Sequence, residues 1–109
     1  MVSRDDTFAI KGIREGLLVT VSAEDEWESL IGRVLARIDE KQAFFKGARV
    51  ALDVGARPVL PHELDSFRLL LNKREITLWA VISISHTTQT SARHAGLETS
   101  LVTSQGGLE

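Results

Sequence analysis

The sequence predicts a single small α/β domain, a mixed sheet packed with helices in the order β-β-α-β-α-β-α-β. Three observations predict it. Short β-branched and apolar runs alternate with stretches whose apolar residues recur at helical spacing. Glycine or proline stands at nearly every joint between them. With 109 residues, the chain has room for one core and little else.

The elements follow in order. Phe8 to Ile13 and Leu17 to Ser22 read as two strands. Arg14-Glu15-Gly16 between them suits a tight hairpin. Trp27, Leu30, Ile31, Val34, Leu35 and Ile38 then fall on one helical face. Ser22 stands in N-cap position with Asp25 three residues on, as in a capping box. Glu24, Asp25 and Glu26 in a first turn, with Arg33, Arg37 and Lys41 later, match the helix dipole. A helix from about Ala23 to Gln42 is expected.

Val50, Leu52 and Val54 alternate with Arg49, Ala51 and Asp53 in a strand ending at Gly55. Pro58 and Pro61 punctuate a loop, and Pro61 suits the first turn of a second helix whose buried face is Leu64, Phe67, Leu70 and Leu71. Ile76 to Ile84 is apolar on both faces, the pattern of a central strand covered from both sides. A third helix is expected from Thr88 to Ala95, stopped by Gly96. Leu97 to Val102 reads as a last strand at an edge.

Composition excludes several function classes. Hydrophobic residues make up 43% and charged residues 26%, so the chain can bury a core. Net charge is −2, from 13 basic and 15 acidic residues, and no basic, aromatic-interleaved stripe points to nucleic acid. Cysteine is absent, which removes disulfides, thiolate nucleophiles and cysteine metal sites. No signal peptide and no apolar run of transmembrane length is present, so a cytoplasmic protein without direct membrane insertion is expected. Residues 1–7 read as a flexible N-terminus. Thr103-Ser104-Gln105-Gly106-Gly107 is linker-like, and Leu108-Glu109 reads as a remnant of expression cloning.

No catalytic constellation stands out, and no enzyme is expected. There is no Gly-rich phosphate loop, and glycines 12, 16, 47 and 55 sit at strand ends or turns where positive φ is the simple account. His62, His86 and His94 match no metal-ligand spacing and read as surface histidines, so no metal and no cofactor are expected. Asp53 ends a strand, where α/β folds often place function, but nothing pairs with it. Ser83 and Ser85 near His86 lack a nucleophile elbow. Trp27 and Trp79 belong to apolar patterns and read as core. Of the adjacent rings Phe44 and Phe45, either both are buried or one seals the core while the other is exposed as an interface anchor. Arg33, Arg37 and Lys41 line one helix flank, and Lys11 ends the first strand. By themselves these are a solvated face and a guard on a sheet edge.

Phe8-Ala9-Ile10-Lys11-Gly12, followed by Phe44-Phe45-Lys46-Gly47-Ala48-Arg49-Val50-Ala51-Leu52-Asp53-Val54-Gly55, resembles the N-terminal domain of MinC, the septum-site-determining inhibitor of bacterial division. The Leu-rich second strand, the amphipathic helix, Leu78-Trp79-Ala80-Val81 and Gly96-Leu97 extend the likeness to about Val102, giving a domain from 8 to 102. The resemblance implies a non-enzymatic domain without cofactor that binds the tubulin-like GTPase FtsZ and antagonises its polymers. It also implies that MinD binding and dimerisation belong to a separate C-terminal domain. The family's contact positions correspond here to Lys11, Gly12, Arg37 and Phe44, which would form one surface with a cationic rim and an aromatic anchor. A side chain at Gly12 is alternatively expected to break the turn between the strands. The rival reading is a STAS-like regulator of the anti-anti-sigma type. It needs an exposed phosphorylatable serine where a helix follows a strand, and Asp53-Val54-Gly55-Ala56-Arg57-Pro58 offers none.

Overall fold

The structure, a computed structural model, describes residues 8–101. The readings made for residues 1–7 and for the tail from Val102 onward lie outside the described residues.

Two strands, β1 (Phe8–Ile13) and β2 (Gly16–Val21), pair antiparallel, with Ile13 opposite Gly16 across a turn of Arg14 and Glu15. Helix α1 (Trp27–Glu40) and the single turn α2 (Gln42–Phe45) lead to β3 (Arg49–Gly55). Helix α3 (Pro61–Asn72), strand β4 (Thr77–Ser83) and helix α4 (His86–His94) complete the elements. The sheet order is β1-β2-β3-β4, with β2, β3 and β4 parallel. The predicted α/β class and mixed sheet are what is found among the described residues.

Both parallel connections step one strand in the same direction. Right-handed crossovers therefore bring α1 and α3 onto one face of the sheet. Leu30, Ile31, Val34, Leu35 and Ile38 of α1 and Leu64, Phe67 and Leu71 of α3 meet Val19, Val50, Leu52, Val54, Leu78 and Val81 in one core. Trp27 is only partly buried at its margin, edge-on to Phe67 at 6.2 Å between centroids.

Four expectations need correction. The first helix begins at Trp27, not Ala23, and Ser22 is no N-cap: its Oγ accepts the Glu24 N–H at 3.1 Å. The reason lies thirty-odd residues away, where Arg57 Nη2 donates to the carbonyls of Ser22 and Asp25 and holds them in a loop. The helix also ends earlier, because Lys41 leaves helical dihedrals at φ −134° and α2 restarts beyond it.

The last strand is reduced to an isolated bridge, Glu98 alongside Ala80, with Val81 N–H donating to Glu98 O at 2.8 Å and Glu98 N–H to Trp79 O at 3.0 Å. Finally, β4 is the last named strand of the sheet rather than a central one. No described helix lies on its outer face, and Trp79 is a half-buried residue of that face rather than a core one.

Two helix termini behave as their residues dictate. Pro61 opens α3, where its missing N–H costs nothing, and the Glu63 carboxylate accepts the Leu60 N–H at 3.0 Å. Helix α4 starts two residues before Thr88 because Ser85 caps it, accepting the Thr88 N–H at 3.4 Å. Gly96 follows at φ +77°, as expected of a C-terminal glycine.

Candidate partner-binding site

Lys11 and Gly12 lie on β1, which has no strand on its outer side among the described residues, and both are exposed. Strand alternation puts Phe8 and Ile10 against the core and Lys11 on the opposite face. Gly12 does not serve the turn. Its φ lies outside the left-handed region, and a Cβ built there meets nothing within 4 Å. The indispensable glycine is Gly16, at φ +139°, where a Cβ would stand 2.4 Å from the Arg49 carbonyl oxygen. The expectation that a side chain at position 12 breaks the hairpin is overturned, because the constraint sits four residues later.

Arg37 is half-exposed on α1. Its guanidinium lies over the Phe8 ring, 5.5 Å from the centroid, and its Nε is 3.7 Å from Glu40 Oε1. It therefore borders the inner, helix-covered side of the same sheet edge whose outer side carries Lys11. The two cations flank β1 from opposite faces. Arg33 and Lys41, on the flank shared with Arg37, are exposed.

The phenylalanine pair divides its work. Phe45 is buried at 3% exposure, whereas Phe44 is 66% exposed, edge-on to Phe45 at 5.0 Å. Phe44 lies just past the end of α1 that points toward the hairpin, since α1 runs antiparallel to β2 and β3.

The polar residues with candidate chemistry are occupied with structure. The Asp53 carboxylate accepts the Gly55 N–H at 3.0 Å, a local turn. Ser83 Oγ donates to Gly55 O at 2.6 Å and accepts the Ser85 N–H at 2.9 Å. His62, His86 and His94 are exposed, and no group of three metal-ligating side chains forms among the described residues. The start of α3, where a STAS-like regulator needs a hydroxyl, presents Leu60 and Pro61.

Two arginines were missed as organisers. Arg57 joins the loop before α1 and lies over Trp27, 6.0 Å from the ring centroid. Arg74 grips Asp39 with both Nε and Nη2, at 2.8 and 3.1 Å, tying α1 to the chain beyond α3. That pair holds the Asp39 carboxyl below the usual carboxylate range, chiefly through the hydrogen bond. A lone arginine far along the chain carries no sequence signal of its partner.

The fold is that of a small α/β domain, with the four candidate residues carried on β1, α1 and the turn α2. The family model described as septum formation inhibitor MinC, N-terminal domain, matches residues 8–78, well over half of the chain, and the chain belongs to that family. No curated protein and no solved structure matches it. Membership makes this a septum formation inhibitor domain with division-related protein partners, in a family not known as enzymatic. Among the described residues no helix is long and apolar enough to cross a membrane.

Proposed function

We propose that this domain inhibits septum formation by binding FtsZ and antagonising its polymers, through a surface that includes Lys11, Gly12, Arg37 and Phe44. The observation that carries it is Gly12. An exposed glycine with ordinary backbone and open space around it has no folding role, and glycine within a strand costs about 0.5–1 kcal/mol relative to alanine. Close approach of a partner's backbone at the β1 edge accounts for it. Lys11 supplies steering toward an acidic partner, and Phe44 an apolar anchor. Arg37 contributes from the inner side of the edge while bracing Phe8. The domain works in the cytoplasm on this reading, and MinD recruitment belongs to a separate C-terminal domain.

The test is sedimentation of GTP-assembled FtsZ from the same organism with the purified chain, beside Lys11→Glu, Gly12→Asp and Phe44→Ala. All three sites are exposed, so thermal unfolding should match the parent. Reduced pelleting that these variants lose by tenfold or so in effective concentration, about 1.4 kcal/mol each, is the expected result. No binding by the parent chain at high micromolar concentration would sink the reading.

A further inference from the structure

The outer face of β2, β3 and β4 carries no residue assigned to the division role. Arg49, Ala51 and Asp53 alternate with the core-facing Val50, Leu52 and Val54 and so point away from the helices. Beside them on β4 stand Ala80 and Ile82, opposite Ala51 and Asp53. The register shift between Val50 and Ala51 leaves Trp79 as the extra residue. The Arg49 guanidinium lies over its ring at 4.9 Å, which places the indole on the same outer face. Leu18 of β2 is level with Ala51. The result is an apolar patch of Leu18, Trp79 and Ile82, each half-buried, over Ala51 and Ala80, which are fully buried beneath it. Ile84, 82% exposed, follows directly.

We propose that a second copy of this chain covers this face, the two sheets packing antiparallel about a two-fold axis that crosses β3 at Ala51. The charge pattern selects that occupant. On the central strand a cation and an anion stand two residues either side of Ala51, so the row is self-complementary. The axis brings Arg49 opposite Asp53 of the second copy, and the same pair forms twice, as an isologous interface requires. The same operation sets each Trp79, below the axis, against Ile82 above it. Lys11 is level with Leu18 but on the edge strand, where its long side chain turns into water.

Four strands about 4.8 Å apart and six residues at about 3.3 Å give a face near 400 Å² per copy. Over both copies that is about 800 Å², below the roughly 1,200–2,000 Å² of stable specific interfaces, so the dimer is a weak, transient one.

Sedimentation velocity of the full chain, from micromolar to near-millimolar, tests this. The expected mass is 12.0 kDa at the dilute end, rising toward twice that value. Arg49→Glu and Asp53→Arg should each remain monomeric at concentrations where the parent associates. The double variant, which exchanges the two charges, should recover most of the association. Ile82→Lys serves as a second probe should a charge variant unfold, and it should abolish dimerisation with circular dichroism unchanged. A parent chain that stays monomeric throughout overturns the proposal. So do single reversals that associate like the parent, or a folded double variant that does not recover.

Discussion

At the scale of single residues, the two glycines of the first hairpin look alike in sequence and differ in what they do. Gly16 is required twice over, by φ +139° and by the Arg49 carbonyl that a Cβ would strike at 2.4 Å. Gly16→Ala should cost about 2–4 kcal/mol, combining backbone strain with a clash that rigid strands relieve poorly. Gly12→Ala should be neutral or stabilise by about 0.5 kcal/mol, since the added methyl meets nothing and the unfolded chain loses freedom. Urea unfolding of both variants checks the contrast, and equal losses would contradict it. The exposed ring at Phe44 was one of the alternatives open in the sequence. Only the packing of Phe45 into the core decided which of the neighbours faces water.

Among the elements, the amphipathic stripes were legible and the ends were not. The apolar spacing of α1 reports its buried face directly, because a helix of period 3.6 must place those side chains together. Its start was misread because Ser22 and Asp25 have the chemistry of a capping box, while Arg57 claims their carbonyls from the loop after β3. Helix α4 shows the converse. Its buried Thr88 and Ser91 hold the loop before α3, with Thr88 Oγ1 donating to Arg57 O at 2.6 Å and Ser91 Oγ to Val59 O at 2.7 Å. Such polar burial leaves no periodic mark.

The Asp39–Arg74 link gives a pH prediction at this scale. Its carboxyl is depressed in the folded chain, so its contribution is present above the carboxylate pKa of the unfolded chain, about 3.9, and is lost as pH falls through the folded value. Asp39→Asn should therefore melt below the parent at neutral pH, with the gap closing below about pH 4. Thermal unfolding from pH 7 to pH 3 measures it, and a gap independent of pH would remove the ion pair as its cause.

For the molecule as a whole, one core holds one face of one sheet. Leu52, fully buried on β3, belongs to the one core cluster that α1 and α3 share with the sheet, and Leu52→Ala should cost about 3 kcal/mol. Leu69→Ala, at a leucine 61% exposed on α3, should cost under about 0.5 kcal/mol by the same unfolding assay. The one-sidedness of the fold follows from topology, since successive parallel connections in one direction deposit helices on one face. The doubly apolar run of β4 suggested cover on both sides. In the structure Trp79 and Ile82 of its outer face are left half-exposed, while Ala80 between them is buried.

By itself, then, the sequence determined the α/β class, the order of the main elements, the buried stripe of each long helix and, through the likeness around Lys11-Gly12 and Phe44 to Gly55, the family. Those properties are periodic or local, and period and turn chemistry are written in neighbouring residues. Only the tertiary structure decided where α1 begins, which glycine the hairpin needs, which phenylalanine is exposed and which sheet face carries the described helices. Each of those depends on groups far apart in the chain meeting in space: Arg57 on Ser22, Arg49 behind Gly16, and both crossovers on one side.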